Sequence, residues 1–383
     1  MYTLSAYESM LADDLRVRAY LGAINRVVRP GDVVLEIGTG VGYFAVAACR
    51  AGASHVFAIE TNDAVQLGPA VAAANGCGDL ITFIRRSSER VELLQRADVL
   101  IEDLRGVLAL SGSRLDVLRD ARARLLVPGA RSVPLRDTMW AAPCVALDAY
   151  RKAVLAPDYA PHGIDVGVLR RYSVNNWYRV RAQRADLLAP PARWATLDLT
   201  APGSSDADGE ASWVMASGGT VAGWCVWFDS DLGDEMVLTN APGAPESIYG
   251  QAFFPLEEPW LVEPGDRLHV RFRAKRSEED YVWAWDSDCE RPSRDHLTLR
   301  QSSLGGQLLD PARLRARSPL AQPAPTPRTQ LYVDLLALVD GRRTLTDIAR
   351  ELHTVHSSLL RNEAEALQFV TARLDFIARD EAL

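Results

Sequence analysis

"VVLEIGTGVGYFAVAACRAGASHVFAIE", Val33 to Glu60, decides the fold. An apolar β-rich run enters a glycine turn, an apolar helix follows, and a second β-rich run ends on a carboxylate. That order is one strand–helix–strand unit of a parallel sheet. Gly38, Gly40 and Gly42 stand at alternate positions of the turn. Glycine lets the backbone turn sharply and lets a ligand approach with no Cβ in the way. Glu60 closes the second run about 20 residues after the turn, where an acid meets ribose hydroxyls in nucleotide-binding sheets. Strand, turn, helix and acid together point to a nucleotide-type ligand. A dinucleotide site usually has G-x-G-x-x-G, whereas here the third glycine comes one residue earlier and Glu36 precedes the first, as E-x-G-x-G-x-G.

Outward from this unit, Met10 to Pro134 continues the alternation. Further strands are predicted at Ile81–Ile84, Asp98–Ile101 and Ala123–Leu126, with helices between, so the class is α/β. After Val133 the texture changes to strand-like runs rich in tryptophan, such as "VAGWCVWFD", "DRLHVRFRA" and "DYVWAWD", bounded by Pro/Gly turns. This predicts an antiparallel β domain over 135–300, interrupted at about 147–175 by a helical, irregular insertion. "RSPLAQPAPTPRT" lies in an extended linker, 301–328. Residues 329–383 carry apolar positions at helical spacing, with Gly341 ending one helix and Thr344 capping the next.

Composition bounds the function. The chain has 383 residues, 48% apolar and 24% charged, with a net charge of -8. Such a length suits two or three domains, and the negative charge argues against a nucleic-acid binder. No apolar run is long enough to span a bilayer, and the first residues lack the pattern of a signal peptide. The five cysteines are odd in number and scattered, as in a reduced, cytoplasmic protein. The histidines, His353 and His356 included, show no metal-ligand spacing, so no metal is expected.

The E-x-G-x-G-x-G form and the acid after strand two resemble the S-adenosylmethionine site of class I methyltransferases. "MLADDLRVRAY" (Met10–Tyr20), "FIRRSSERVEL" and the β stretch from Gly223 to Ala274 resemble, in the same order, segments of protein arginine methyltransferases. The resemblance implies a Rossmann-like cofactor domain over 1–134, followed by a β-barrel substrate domain. In that barrel "HGIDVGVLRRY" would be a dimerisation arm. It implies S-adenosyl-L-methionine as cofactor and S-adenosyl-L-homocysteine as product. Met10, Arg16, Glu36, Gly38, Gly40, Gly42, Glu60, Ser88 and Glu89 would bind it, Arg16 on its carboxylate, Glu60 on the ribose and Glu89 on the adenine amine.

The acceptor half departs from the family. Its hairpin of two glutamates, which suits a guanidinium fork, corresponds to "IEDLRGVLALSGSRLDVL". Asp103 stands at the first glutamate and Gly112 at the second, with Glu102 adjacent and Asp116 one helical turn later. The family's Thr-His-Trp loop is Ser247, Ile248 and Tyr249 here, and of its N-terminal aromatic helix only Tyr2 and Tyr7 remain. Asp103, Glu102 and Tyr249 are the candidate catalytic residues. Tyr249, Tyr281, Trp283 and Trp285 either stack on a cation or form barrel core. The C-terminal helices resemble a small winged-helix domain of the PqqD type, which holds precursor peptides; the plainer alternative is a helical cap. The expected function is methylation of a nitrogen on a peptide or natural product by a homodimer. O-methylation, or a non-catalytic scaffold that binds cofactor, are the alternatives.

Overall fold

In a computed structural model, residues 3–377 are described apart from 152–153, 155–160, 279, 293 and 309. The chain divides into two units, Met1–Gln307 and Leu308–Leu383. In the first unit a five-stranded parallel sheet has the order β3-β2-β1-β4-β5. These strands are β1 (Val33–Ile37), β2 (His55–Glu60), β3 (Ile81–Arg85), β4 (Ala97–Glu102) and β5 (Leu126–Val133). All five residues of β1 are buried, as in the central strand of a parallel sheet. Ile37 pairs with Ile59 on one side and Glu102 on the other, so the ends of β1, β2 and β4 lie together at one edge of the sheet. Ligands of open parallel sheets bind beyond such carboxyl ends.

Helix α1 (Leu4–Ala12) and helix α2 (Asp14–Val27) precede the sheet; α3 (Tyr43–Arg50), α4 (Gly68–Ala74) and α5 (Arg114–Arg124) lie between strands. Asp13 caps α2 by accepting from the Arg16 N–H at 3.0 Å. The strand expected at Ala123–Leu126 begins only at Leu126. Arginines, leucines and alanines, all good helix formers, carry α5 to Arg124. Tyr2 lies outside the described residues.

The β region is antiparallel throughout. Its strands are β6 (Arg136–Cys144), β7 (Tyr178–Val180), β8 (Ala192–Asp198), β9 (Ala207–Val214), β10 (Gly219–Asp231), β11 (Val237–Thr239), β12 (Gln251–Val262), β13 (Arg267–Arg276), β14 (Tyr281–Glu290) and β15 (Leu297–Ser302). They form two hydrogen-bonded sheets, β7-β12-β10-β6-β8 with β11 on β10, and β15-β14-β13-β9. Aromatic side chains join them: the Phe254 ring lies 5.4 Å from Phe272, 5.3 Å from Trp283 and 5.2 Å from Trp285, and Trp213 stacks on Trp224 at 5.3 Å. Trp283 and Trp285 are thus core, and Tyr281 donates to the Ser205 carbonyl. The expected arm opens with a short helix, Asp148–Tyr150, and from 161 a 3-10 turn at Pro161–Gly163 leads to a helix, Val168–Ser173. Its residues 152–153 and 155–160 lie outside the description.

The second unit contains helices Pro311–Ala316, Pro327–Leu338, Leu345–Val355 and Glu363–Ile377. Gly341 adopts φ 73°, and Thr344 caps the next helix in a reciprocal box with Asp347. Leu331, Leu335, Ile348, Leu352, Leu360 and Val370 form a core of their own. Among the described residues this unit has no strand, so they show no winged-helix wing. Residues 378–383 lie outside the description. No helix among the described residues is long and apolar enough to cross a membrane.

Candidate functional site

Beyond Ile37 the chain turns through Gly38, Gly40 and Gly42, all with positive φ. A Cβ on Gly38 would lie 2.7 Å from the Leu104 side chain, and one on Gly40 2.6 Å from the Tyr7 ring. The turn therefore needs glycine for its conformation and for the close approach of its neighbours. Glu60, at the end of β2, braces it: one oxygen accepts from the Gly40 N–H at 3.0 Å, the other from Thr61 and Asn62 N–H at 2.8 and 2.9 Å. Beside this turn lies a cavity of about 250 Å3. Gly38, Glu60, Ser88 and Glu89 line it, as expected from the sequence. Thr61, Arg86, Ser87, Leu104, Arg114 and Val117 line it too, and none of them was singled out from the sequence as a ligand.

Glu36 and Gly42 serve the turn instead. Gly42 is the N-cap of α3. Glu36 is 2% exposed and accepts from the Thr39 hydroxyl at 2.6 Å. Burial raises its carboxyl to about 7, although the Thr39 hydroxyl and the Ala45 N–H draw it down. Met10 acts through its backbone, its carbonyl accepting from Arg16 Nη1 at 3.3 Å.

Below the turn is a buried charge cluster. Arg16 Nε donates to Asp103 Oδ2 at 2.5 Å, and Arg105 Nε to Asp103 Oδ1 at 3.0 Å. Tyr249 donates its hydroxyl to Asp103 Oδ2 at 2.6 Å. Arg105 Nη1 reaches Asp137 Oδ1 at 3.1 Å, and Arg114 Nη1 reaches Asp137 Oδ2 at 2.5 Å. Arg114 grips Glu102 through Nη2 at 2.6 Å and Nε at 3.1 Å. Arg16, Arg105 and Arg114 thus face Asp103, Glu102 and Asp137, three charges of each sign. Removing one partner of a buried pair costs about 3–5 kcal/mol because the other charge is left uncompensated. Burial alone would push the Asp103 carboxyl up, but Arg16 and Arg105 outweigh it and hold it well below the usual carboxylate range. Burial pushes the Tyr249 phenol up, and the Asp103 charge adds to this.

These contacts revise the acceptor half. Glu102 spends its carboxylate on Arg114 and on the Leu104 N–H, 2.9 Å away. Asp116 does not replace the absent glutamate. It accepts from Ser205 at 2.5 Å and Arg119 at 3.0 Å, and Arg276 is 3.3 Å away. Tyr249, expected to stack on a cation or to form barrel core, donates its hydroxyl to Asp103 instead. Ile248, where the family has histidine, contributes its backbone N–H to Asp13 Oδ2 at 2.8 Å.

Residues 18–108 match the family model of ribosomal protein L11 methyltransferase (PrmA). The chain is 30% identical over 295 residues to a probable histone-arginine methyltransferase CARM1 of Oryza sativa subsp. indica, covering 72% of this chain and 56% of that protein. It is 28% identical over 270 residues to an arginine N(omega)-methyltransferase of Streptomyces achromogenes subsp. streptozoticus, covering 69% and 74%. The structure of the Trypanosoma brucei PRMT1 enzyme–prozyme heterotetrameric complex with AdoHcy superposes with a TM-score of 0.73 at 20% identity, covering 78% of this chain and 98% of that one. Protein arginine methyltransferase 10 of Arabidopsis thaliana gives 0.69 at 24% identity, covering 78% and 97%. The fold, a Rossmann-like parallel sheet followed by antiparallel sheets, is that of class I protein arginine methyltransferases. The chain spans about half the length of the rice relative.

The environment of Glu36 makes stability depend on pH. Between about 4.5 and 7 the unfolded chain releases this proton while the folded chain keeps it, so stability falls as pH rises and the loss is complete above 7. At ~1.4 kcal/mol per unit the loss amounts to about 3 kcal/mol. Urea denaturation at pH 5 and pH 8 should show this component in wild-type protein and not in Glu36→Gln. Equal pH dependence in the two proteins would exclude it.

Proposed function

We propose that this protein is an S-adenosylmethionine-dependent methyltransferase that methylates a nitrogen on a peptide or small natural product. The observation that carries the reading is the cavity at the carboxyl ends of the parallel strands, where Gly38, Glu60 and Glu89 converge. When bound, the cofactor supplies an electrophilic methyl group. Glu60 keeps its carboxylate fixed by three backbone N–H groups and accepts from the ribose hydroxyls. Glu89 accepts from the adenine amine. Arg16 spends Nε on Asp103 and Nη1 on Met10, and meets the cofactor carboxylate with the rest of its fork. Methyl transfer is an in-line displacement, so positioning of the two reactants contributes most of what such a site supplies.

Two parts of the chain extend this reading. The arm exposes Ile164 (68%), Val168 (69%) and Leu169 (53%), an apolar surface that suits docking on a second copy in a two-fold dimer. In the C-terminal unit, Val333 and Leu336 are about half exposed on one helix. That surface suits a PqqD-like role in holding a precursor peptide.

Calorimetry with S-adenosylhomocysteine tests the cofactor assignment. Glu60→Ala should weaken binding by about 1.5–3 kcal/mol, the range for a hydrogen bond to a charged group; unchanged affinity, or binding of NAD in its place, would refute it. Sedimentation tests the dimer. Val168→Asp with Leu169→Asp should convert a dimer into a monomer, and wild-type protein already monomeric at micromolar concentration would rule the arm interface out.

A further inference from the structure

Holding a cationic acceptor takes an uncommitted carboxylate and an aromatic wall for the cation to lie on. Both stand at Asp103, and both are filled by a guanidinium of the chain itself. Arg105 donates to Asp103 at 3.0 Å, to Asp137 at 3.1 Å and to the Tyr20 hydroxyl. Its guanidinium carbon lies 5.2 Å from the centre of the Phe228 ring, 5.8 Å from Tyr20 and 6.0 Å from Tyr249. The Arg105 side chain has no exposed surface. The second Asp103 oxygen is taken by Arg16 and Tyr249.

We propose that Arg105 occupies, from within the chain, the place a guanidinium or ammonium acceptor would need, so that the acceptor of this site is an uncharged nitrogen. The inference rests on the methyl-transfer reading above and names its substrate class. Charge decides it. The three arginines of the cluster balance its three carboxylates, which leaves no net negative charge to draw in a cation. All three nitrogens of Arg105 already donate to partners in the chain, so none is reserved for an anionic acceptor.

An uncharged nitrogen meets the remaining requirement. Its lone pair forms the bond to the methyl carbon while the carbon–sulfur bond breaks. The breaking pair stays on sulfur, which passes from sulfonium to thioether. The nitrogen takes the positive charge and then releases its proton to water. A hydroxyl acceptor would need a base for its proton during transfer. Asp103 is a poor base: burial pushes its carboxyl up, but Arg16 and Arg105 hold it well below the usual range.

The test uses full-length protein loaded with S-adenosylhomocysteine, the loading followed by calorimetry. Two probes of one shape and different charge are then titrated, methylguanidinium and N-methylurea. Wild-type protein should show no saturable binding of methylguanidinium in the range where Arg105→Met saturates. That variant frees Asp103 and the aromatic wall, and should bind methylguanidinium about tenfold more tightly or better, as a charge-assisted contact implies. Its affinity for N-methylurea should change by less than about twofold. Wild-type binding of methylguanidinium that Asp103→Asn weakens overturns the proposal, and so does an Arg105→Met protein that gains nothing. If Arg105→Met does not fold, the wild-type titration still decides: saturation with methylguanidinium below about 1 mM overturns the proposal, and none up to that concentration supports it. Failure of wild-type protein to take up S-adenosylhomocysteine appears in the first step and refutes the methyl-transfer reading itself.

Discussion

Asp137 sits on the first strand of the antiparallel region with no exposed surface, and its charge has to be met from across the domain boundary. Arg105, in the loop after β4, and Arg114, at the start of α5, meet it from the parallel-sheet side. Ser230 adds a hydroxyl from β10 at 2.5 Å. Burial alone would push the Asp137 carboxyl up, but the two arginines outweigh it and hold it charged. Each arginine then uses its remaining donors on a second carboxylate, Asp103 or Glu102. The orientation of the whole loop after β4 follows from that one buried charge. A loop tethered at Glu102, Asp103, Arg105 and Arg114 has little freedom, which is how it can form one wall of the cavity beside the glycine turn through Leu104 and Arg114.

A second tie brings Tyr249 to the same place. Asp13 caps α2 with one oxygen and holds the Ile248 N–H with the other. Tyr249, the next residue, packs its ring against Phe228 at 5.3 Å and turns its hydroxyl onto Asp103. An N-cap contributes about 1 kcal/mol to a helix; here the same carboxylate also places a side chain from a loop 235 positions away in sequence. Ile248 thus ties its loop to α2 through the backbone, and the neighbouring tyrosine makes the contact with Asp103.

What could be read in advance follows from range. The glycine turn, Glu60, Ser88 and Glu89 are specified by short segments that carry their own strand and helix signals, and they do meet at one cavity. Glu102 and Asp116 were legible as acids but not as occupied ones. Arg114, the partner of Glu102, lies 12 positions away, and the Asp116 partner Ser205 lies 89 away, in another domain. Asp137 and Arg105 carried no signal at all, because a lone charge in a β-rich run or a loop reads as a solvated surface residue. The tryptophans of β14 were ambiguous for the same reason. The facing Phe254 and Trp194, from other strands, settle them as core.

Glu36 and Asp103 show how far environment separates two carboxyls set close together. Glu36 precedes Ile37, which pairs with Glu102, and Asp103 follows Glu102. Both are buried acids near the mouth of one sheet. Asp103 has two guanidinium groups within 3.0 Å, which hold its carboxyl well below the usual carboxylate range. Glu36 has a hydroxyl and a backbone N–H but no cation in contact, so burial prevails and its proton leaves only near neutrality. Divergent pKa values of neighbouring acids often mark an acid and a base in catalysis. Here they mark a division of another kind. Glu36 shapes the turn through Thr39. Asp103 is charged and fully paired, an electrostatic anchor for Arg16, Arg105 and Tyr249.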